Sequence, residues 1–576
     1  MKNREIPDLF DQIADILELL GENTFKVASY HKASRIVGDL TEDVAALAKE
    51  DKLRKLPGIG ESTASKIEEY LKTGTMERYQ ELTKEVPGGV VEMMHVPGLG
   101  PKTAGLFWKK AEVKSIADLQ TAIEEGRLVG LPGIGEKKVE NIKKGLATYL
   151  AGQSRILLGK ALPIAEEIAV LLGKLKGVHE AIAAGSLRRR RETIGDIDIL
   201  VSSTRGKEIV DAFVALPMVR EVLAAGETKG SARVEGGFQI DVRVVPPESF
   251  GAALLYFTGS KAHNIRVREL AIAKKLKLNE YGLFGGEKPV AGKTEQEVYD
   301  VLGLAWMPPE IREDRGEVDA ALAGQIPELV DVGDIRCDLQ MHSTASDGGA
   351  SIEEMAKTCQ ELGYSYMAIT DHSQSLKIAH GLTPERLGEQ RKEIDALNAK
   401  LGGENFRILA GVEVDILGEG KLDLPDEALA ELDFVIASIH TGMTQDAATI
   451  TKRITTAMRN PHVHGIAHPT GRVIGQREPY AVDFEEMVRV AKETGTALEI
   501  NAYPERLDLN DVHARAARDA GIKLLIDTDA HAPDQLHFMR YGVFTARRGW
   551  VRKEDVLNTL PLNEFLAWTT GRRKGG

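Results

Sequence analysis

The sequence of 576 residues contains little cysteine and no long apolar run. Its two cysteines are too few for a disulfide framework, which predicts a reducing compartment. A membrane-spanning helix needs about 20 consecutive apolar residues, and no such run occurs. The N-terminal residues are amphipathic and acidic, unlike a secretory signal. At roughly 150 residues per domain the length predicts about four domains, and we expect a cytoplasmic protein.

Charge and histidine are concentrated in the C-terminal part of the chain. The net charge is −13, and residues 334–576 hold 28 Lys and Arg against 37 Asp and Glu, a net charge of −9. The same region holds ten of the 14 histidines. An acidic, histidine-rich region favours a multi-metal site over a solvated surface. The overall acidity does not exclude DNA as a partner, because local clusters of Lys and Arg neutralise a phosphate backbone.

One turn motif, apolar-Pro-Gly-apolar-Gly, occurs three times in residues 1–150, each time before a Lys-containing helical stretch. It resembles the helix-hairpin-helix motif. Its glycines allow a tight turn and close approach to a ligand, and the turn with the next helix N-terminus forms an anion site. We predict that six glycines bind a DNA backbone: Gly58, Gly60, Gly98, Gly100, Gly133 and Gly135. A single copy could be an ordinary turn. A P-loop is excluded, since Glu136 stands where its Lys is required.

Three carboxylates indicate a phosphoryl-transfer site. Asp196 and Asp198 are two residues apart on a predicted strand, so their side chains share one face. Asp241 lies in a second strand-like run, Phe-Gln-Ile-Asp-Val-Arg-Val. Carboxylates on neighbouring strands could hold two Mg²⁺ ions suited to in-line displacement. The alternative is a strand-edge Asp pair with no ion.

A preceding segment offers groups that bind phosphate. Gly185 and Ser186 would present a backbone N–H and a hydroxyl, and the arginine run 188–191 supplies positive charge. The alternative is that these arginines form a solvated surface. The segment lies about ten residues before the Asp pair, and the combination favours nucleotidyl transfer.

Together these motifs resemble bacterial family X DNA polymerases that carry a C-terminal PHP domain, and the match covers essentially the whole chain. The stretch from Gly185 to Val201 resembles the family's nucleotidyltransferase motif. The resemblance implies that Asp196, Asp198 and Asp241 are catalytic ligands of two Mg²⁺ or Mn²⁺ ions, with Asp241 beside the primer 3′-hydroxyl. It further implies a set of nucleotide-binding residues: Gly185, Ser186, Arg189, Gly195, Tyr256, Phe257, Gly259, Asn264 and Arg268. Lys261 departs from the pattern, because animal members have an acidic residue there.

The N-terminal end resembles the family's lyase-type domain. Lys66 falls at the position that forms a Schiff base in members able to remove a 5′-deoxyribose phosphate. An amine needs a depressed pKa for that chemistry. Ser62 replaces a Lys that assists in animal members, and plain DNA binding by Lys66 is the alternative.

Seven apolar runs in the last 240 residues each end in a ligand-type side chain, and helical stretches separate most of them. Strands that alternate with helices and carry ligand-type side chains at their C-terminal ends predict a (β/α) barrel. The pattern resembles the PHP phosphoesterase domain and implies nine metal ligands: Gln340, His342, Asp347, His372, Glu413, His440, His468, Asp529 and His531. Such ligands suit two or three Mn²⁺, Zn²⁺ or Fe²⁺ ions. Gln340 departs, since His is usual there. Arg472 or Arg506 could meet a substrate phosphate.

The expected fold is multidomain, α+β and α/β, ending in a distorted (β/α)7 barrel. We expect six segments: a lyase-like helical DNA-binding domain (1–82), a helix-hairpin-helix fingers-type domain (83–152), a nucleotidyltransferase palm with a mixed sheet (153–247), a thumb-like nucleotide-selection domain (248–316), a linker (317–333) and a PHP metallophosphoesterase domain (334–576).

The predicted function is a repair-type DNA polymerase fused to a metal-dependent 3′–5′ exonuclease. The partners would be dNTPs and gapped, nicked or 3′-ended DNA, with no membrane. The protein would be a monomer in the cytoplasm, associated with the nucleoid. The alternative is a metallophosphoesterase whose N-terminal half only binds DNA.

Overall fold

A computed structural model describes residues 2–38, 44–49, 52–56, 58–94, 96, 98–153, 155–235, 238–401 and 406–573. The chain divides into two compact units, Met1–Ser154 with Gly475–Arg477, and Arg155–Ile474 with Glu478–Gly576. The prolines of the first two hairpin motifs, Pro57 and Pro97, lie outside the described residues. Among the described helices, none is long and apolar enough to cross a membrane.

The first unit is helical. Its helices are α1 (Lys2–Leu20), α2 (Thr24–Gly38), α3 (Val44–Lys49), α4 (Glu61–Thr73), α5 (Glu77–Glu85), α6 (Gly88–Met93), α7 (Pro101–Ala111), α8 (Ile116–Glu124) and α9 (Glu136–Gln153). Residues Ile6, Phe10, Ile13 and Leu17 recur every three or four positions along α1 and are fully buried. This spacing places them on one helix face, and they form a single core with residues of the other helices.

The second unit begins with the predicted palm. Its elements are β1 (Ile156–Leu157), α10 (Leu158–Gly173), β2 (Glu180–Ala183), α11 (Gly185–Arg188), β3 (Thr193–Ile194), β4 (Ile197–Ser202), α12 (Gly206–Val214), β5 (Val219–Ala225), β6 (Lys229–Val234) and β7 (Gln239–Val245). Five strands form one sheet in the order β2-β4-β7-β6-β5. The β4–β7 pair is parallel and the other pairs are antiparallel, so the predicted mixed sheet is confirmed.

The predicted thumb follows directly. Its elements are α13 (Phe250–Thr258), α14 (Lys261–Ala273), β8 (Lys277–Asn279), β9 (Gly282–Gly285), β10 (Lys288–Ala291), α15 (Glu295–Leu302) and α16 (Glu317–Leu322). The three strands form a separate antiparallel sheet in the order β10-β9-β8. The helices bury one small core against this sheet.

Part of the expected linker is structured instead. Helix α16 lies in residues 317–333, and the fully buried Glu317 binds the His263 ring at 2.8 Å. The same carboxylate accepts the backbone N–H groups of Asp314 and Arg315. This helix has only six residues, of which Glu317, Val318 and Ala321 are buried, and six residues are too few for an apolar periodicity to be recognised in the sequence.

The C-terminal part forms the predicted barrel. Its strands are β11 (Cys337–Asp338), β12 (Tyr366–Ile369), β13 (Arg407–Asp415), β14 (Phe434–Ser438), β15 (Gly465–Ile466), β16 (Ala497–Asn501) and β17 (Leu524–Asp527). All neighbours pair in parallel and in chain order. A bridge between Met341 and Ala530 joins the ends that follow the first and last strands. The predicted (β/α)7 architecture is therefore confirmed.

Eight helices accompany these strands: α17 (Ile352–Glu361), α18 (Pro384–Leu401), α19 (Asp426–Ala430), α20 (Ala447–Met458), α21 (Phe484–Thr494), α22 (Asp511–Asp519), α23 (Met539–Arg548) and α24 (Leu562–Arg573). The outer faces of the strands pack against helices in the largest core, and the inner faces fill the barrel. The barrel also shares a core with the palm. Leu507 and Tyr541 are buried in the same cluster as Leu158 and Leu162 of α10.

Candidate active sites

The parallel strands β4 and β7 bring two of the three palm carboxylates together. Asp198 is the direct register partner of Asp241. Asp196 lies in the bend just before β4 and is exposed. Burial and the negative charges of Asp196 and Asp241 raise the pKa of Asp198 to about 6. A carboxyl group that resists ionisation because of like charges is one that a cation would stabilise, so these residues fit a divalent ion.

Asp241 is held differently from Asp198. Burial opposes its charge, but hydrogen bonds from Lys229, Gln239 and Ser231 keep the pKa of Asp241 below its ordinary value. Lys229 Nζ lies 2.8 Å from Asp241 Oδ2, and Gln239 Nε2 donates to Oδ1 at 3.1 Å. Asp241 therefore loses its proton at a lower pH than its neighbour Asp198. Sequence reasoning missed Lys229, whose pairing depends on the β6–β7 contact.

The turn at Gly185 lies against these carboxylates. Gly185 has a φ of +62°, and a Cβ atom there would come within 2.7 Å of Asp198 Oδ2. Ala184 N–H donates to the Asp198 carbonyl at 2.8 Å, which fixes the turn to β4. Ser186 follows in the first turn of α11. The structure thus brings the expected phosphate-binding segment next to the carboxylates.

The arginines after Ser186 are engaged in contacts within the protein. Arg188 pairs with Glu295 at 2.8 Å, Arg189 with Glu313 at 3.1 Å, and Arg191 lies 3.8 Å from Glu313. The Arg190 guanidinium lies over an aromatic ring of the barrel, 4.4 Å from its centroid. The sequence suggested either free positive charge for a phosphate or a solvated surface. Neither describes these arginines, which are largely paired and partly buried.

A second group of expected nucleotide-binding residues meets in the thumb. Tyr256, Asn264 and Arg268 line one small cavity together with Leu278 and Asn279. Asn264 Nδ2 donates to the Tyr256 carbonyl at 2.7 Å.

Of the remaining expected positions, Phe257 and Gly195 lie at the palm carboxylates. Phe257 lines the cavity that contains Asp198 and Asp241, where the Arg243 guanidinium lies 4.6 Å from its ring centroid. Gly259 follows α13 with a φ of +68°, and Gly195 is exposed immediately before Asp196.

The three hairpins of the first unit have the geometry that their sequence predicts. Helices α4, α7 and α9 begin directly after the last glycine of each motif, at Gly60, Gly100 and Gly135. The first glycines adopt the left-handed conformation that other residues avoid, with φ of +95° at Gly58, +85° at Gly98 and +75° at Gly133. These turns can therefore present N–H groups and a helix N-terminus to a phosphate.

Lys66 lies on α4, close to the first hairpin. Its Nζ donates to Ser62 Oγ at 2.7 Å and lies 5.9 Å from the centroid of the Tyr30 ring. Burial lowers the pKa of Lys66, and the positive charges of Arg78 and Lys26 act in the same direction. A lowered pKa is what an amine nucleophile requires.

Seven of the nine expected barrel ligands fall into three overlapping groups, in each of which the ligand atoms lie within 4.8 Å of one another. These groups are His342, Asp347, His372 and His531; His372, Glu413 and His440; and His342, Glu413 and Asp529. His468 joins them through its Nε2, 3.0 Å from Glu413 Oε1. Because the groups share His342, His372 and Glu413, they suit ions that are close together.

Orphaned polar atoms indicate that this cluster fits metal ions. His342 Nδ1, Glu413 Oε2 and His468 Nδ1 are buried and have no hydrogen-bond partner among the described residues. The same holds for both amide atoms of Gln340, which is fully buried two residues before His342. Buried polar atoms without partners cost free energy, and a cation bound by the ring nitrogens and by the carboxylate and amide oxygens would remove that cost for those atoms.

The protonation of the cluster is uneven. Burial and the neighbouring His342 lower the pKa of His372 to about 4. Burial also disfavours the charged form of His531, but Asp347 and Asp529 raise its pKa to about 9. His372 is therefore neutral at pH 7 whereas His531 is protonated, and a transition metal that binds both rings would release the proton of His531.

Several side chains that sequence reasoning missed orient the ligands. Asp415 Oδ1 lies 2.7 Å from His440 Nδ1, and Asn501 Nδ2 donates to Asp529 Oδ2 at 3.1 Å. Asp415 lies two residues after Glu413 on β13, a spacing that could have identified it.

The two arginines considered for phosphate binding differ in position. Arg506 Nε lies 3.8 Å from Asp529 Oδ2, beside the cluster. Arg472 is buried and pairs instead with Glu192 of the palm, 2.6 Å away.

Comparisons with known proteins agree with this architecture. Four family models match: a helix-hairpin-helix domain at residues 1–76, a SAM-like helix-hairpin-helix tandem at 90–148, the DNA polymerase beta thumb at 253–313 and a PHP domain at 338–503. The "DNA polymerase/3′-5′ exonuclease PolX" of Bacillus subtilis (strain 168) is 43% identical over 575 residues, covering 99% of each chain.

Two further relatives each match part of the chain. A "DNA polymerase lambda" of Arabidopsis thaliana is 26% identical over 345 residues, covering 54% of this chain and 62% of its own. A "Probable phosphatase" of Acetivibrio thermocellus is 32% identical over 204 residues, covering 34% of this chain and 78% of its own. With the full-length match, these findings show that the chain belongs to the family X DNA polymerases that carry a C-terminal PHP domain.

Proposed function

We propose that this protein is a repair-type DNA polymerase that adds deoxynucleotides to a primer 3′ end in short gaps, joined to a 3′–5′ exonuclease in its barrel. The observation that best supports the polymerase activity is the position of Asp198 and Asp241, which are register partners next to the Gly185 turn.

In the polymerase site, Asp196, Asp198 and Asp241 would hold two Mg²⁺ or Mn²⁺ ions. Such ions neutralise the triphosphate and help to ionise the primer hydroxyl. Asp241, kept ionised by Lys229 and Gln239, receives the hydroxyl end of the primer. The turn at Gly185 and Ser186 holds the triphosphate through N–H and hydroxyl groups.

The other side of the nucleotide is bound by the thumb. Tyr256 and Phe257 lie beside the sugar of the incoming nucleotide, while Asn264 and Arg268 contact the new base pair. The shared cavity of Tyr256, Asn264 and Arg268 supports this assignment. Arg189, which donates to the carbonyl directly before Gly259, and Gly195, which directly precedes Asp196, complete the proposed nucleotide-binding set.

In the barrel, nine residues from Gln340 to His531 would hold two or three Mn²⁺, Zn²⁺ or Fe²⁺ ions. Bound ions of this kind supply a hydroxide at neutral pH and polarise a phosphodiester. Asp415 orients the His440 ring. Arg506 binds the phosphate at the edge of the cluster.

The first unit holds gapped, nicked or 3′-ended DNA by its backbone through the three hairpins, and Lys66 removes a 5′-deoxyribose phosphate. The protein acts as a monomer, because the sites described require only one chain. It is associated with the nucleoid, because its partner is DNA.

Extension and degradation of a gapped duplex, each with Mg²⁺ or Mn²⁺, test this function. Asp198→Asn/Asp241→Asn should lose extension and keep degradation, and His342→Ala/His372→Ala should do the reverse. Extension that persists without Asp198 and Asp241 contradicts the palm assignment. A wild-type protein that degrades DNA without extending it is a phosphoesterase whose N-terminal half only binds DNA.

A further inference from the structure

Helix α23 of the barrel lies against the phosphate-binding turn of the palm. Arg548, at the end of this helix, has a side chain only 4% exposed. Its Nη1 donates to the Arg189 carbonyl at 2.7 Å and to Glu313 Oε1 at 3.0 Å, and its Nη2 donates to Asp511 Oδ2 at 2.7 Å. One buried guanidinium thus joins the palm backbone, the thumb side chain Glu313 and the barrel.

The next residue of the turn is held by the same helix. The guanidinium of Arg190 lies 4.4 Å from the centroid of the Phe544 ring, a cation–π contact. Arg190 has a φ of +56°, a left-handed conformation that costs free energy for a residue other than glycine. Such a conformation persists where neighbouring groups determine it, and Phe544 and Arg548 are those neighbours on the barrel side.

Glu313 links this contact to the nucleotide site. Its carboxylate receives Arg548 at 3.0 Å and Arg189 at 3.1 Å. The Arg189 side chain also donates to the carbonyl of Thr258, directly before Gly259. The position of Arg189 therefore depends on Arg548 twice, through the hydrogen bond to its carbonyl and through the shared Glu313.

We propose that Arg548 and Phe544 of the barrel are positioning residues for the polymerase reaction. They hold the turn from Gly185 to Arg190 in the conformation in which it receives the triphosphate. The barrel then contributes to nucleotide binding through α23, independently of its own metal-ligand residues. This inference rests on the proposed polymerase function and adds a role for residues that touch neither substrate nor ion.

Another residue of α23 serves as a control for effects that come only from attaching the barrel to the palm. Arg540 also pairs with the palm, through Glu166 of α10 at 2.7 Å. This ion pair is more exposed than Arg548, and Arg540 approaches the Phe544 ring only at 5.9 Å from its centroid, with no hydrogen bond to the turn among the described contacts. If α23 acts only by attaching the barrel, loss of Arg540 and loss of Arg548 should have similar effects on nucleotide use. If Arg548 positions the turn, the effects should differ.

The test is single-nucleotide gap filling by the full-length chain. Arg548→Gln should raise the KM for dNTP about tenfold, because losing a hydrogen bond to a charged group shifts an equilibrium by about that factor, here the one between the positioned and the displaced turn. The kcat should fall much less, and Arg548→Lys should restore part of the affinity because one donor remains. Phe544→Leu should raise the KM by a smaller factor. Arg540→Gln should leave it within about twofold, as for an exposed ion pair.

Two controls separate the possible outcomes. Thermal unfolding and nuclease activity report whether each variant is folded, and they should be unchanged in Phe544→Leu and Arg548→Lys. An unchanged KM in folded Arg548→Gln, or an equal rise in Arg540→Gln, overturns the proposal. If Arg548→Gln does not fold, an unchanged KM in both Phe544→Leu and Arg548→Lys overturns it instead. A wild-type protein that extends no primer contradicts the polymerase function itself.

Discussion

Gly185 lies so close to Asp198 that a single Cβ atom would fill the space between them. That atom would come within 2.7 Å of Asp198 Oδ2, and Gly185 also has a φ of +62°. A side chain at this position must therefore displace the carboxylate or distort the turn. The glycine keeps the turn in contact with Asp198, as the proposed polymerase site requires.

We expect Gly185→Ala to lower primer extension about 100-fold, because a misplacement of about 1 Å at a reacting centre has effects of that size. Nuclease activity should remain, and both are measured on the same gapped duplex. Gly286→Ala is the matched control, since Gly286 has a φ of +66° but no atom within 4 Å of its Cβ position. Normal extension by Gly185→Ala would show that the proposed geometry is wrong.

Glu295 connects the palm to the thumb, and we expect its replacement to lower the stability of the second unit. It is buried and pairs with Arg188 and with the fully buried Arg312. Replacing Glu295 with Gln leaves two guanidinium groups without a counter-charge, which typically costs about 3 to 5 kcal/mol. The midpoint of urea unfolding of the second unit should fall accordingly. Glu297→Gln on the same helix changes an exposed side chain and should alter the midpoint little.

The pH dependence of this effect has a defined sign. Burial disfavours the charge of Glu295, but Arg312 and Arg188 lower its folded-state pKa to about 2 from an ordinary 4.5. The stabilisation is therefore complete above pH 4.5 and is lost as the pH falls towards 2. The stability difference between wild type and Glu295→Gln should be constant between about pH 5 and 8 and should narrow below this range. A difference that grows on acidification contradicts the assignment.

Because Gln340 has an amide side chain, we expect one ion of the barrel to be weakly held. Its buried amide atoms have no hydrogen-bond partner among the described residues, and an amide oxygen is a weaker ligand for transition metals than an imidazole. After dialysis against a mild chelator, wild-type protein should lose one Mn²⁺ more readily than Gln340→His, as measured by elemental analysis. Gln360→His, on the exposed end of α17, should behave like wild type. Equal retention in wild type and Gln340→His would show that Gln340 does not limit binding.

Much of the fold could be predicted because the relevant signals are local. Each barrel strand is an apolar run with a ligand-type residue near its end, as at His372 after β12 and His440 after β14. Each hairpin repeats the same five-residue pattern, and the glycine at its centre adopts a positive φ. These features depend on neighbouring residues, so a single sequence contains them.

The contacts between palm, thumb and barrel could not be predicted in this way. The Arg548 guanidinium binds the Arg189 carbonyl 359 residues away, and Glu317 binds a histidine 54 residues earlier. An arginine run looks the same in a sequence whether it meets phosphate, solvent or Glu313. Its partners are Glu295 and Glu313 of the thumb and Phe544 of α23, so they depend on how the thumb and the barrel pack against the palm, which no local pattern encodes.

Lys66 of the first unit is predicted to be an amine nucleophile. Burial lowers its pKa, and Ser62 Oγ lies 2.7 Å from Nζ, where it accepts a hydrogen bond. A lowered pKa increases the fraction of neutral amine at a given pH, and the neutral amine is the form that attacks an aldehyde. The reaction with a 5′-deoxyribose phosphate should therefore rise with pH and level off below 10.5, the ordinary pKa of lysine.

Borohydride should trap wild-type protein on DNA that carries this group, and Lys66→Ala should not be trapped. Lys72→Ala removes an exposed lysine from the same helix and should be trapped as wild type is. Undiminished trapping of Lys66→Ala would place the nucleophile on another amine. If wild type is not trapped and Lys66→Ala only binds gapped DNA more weakly, Lys66 is a phosphate contact, because losing one cation weakens backbone binding without affecting any covalent step.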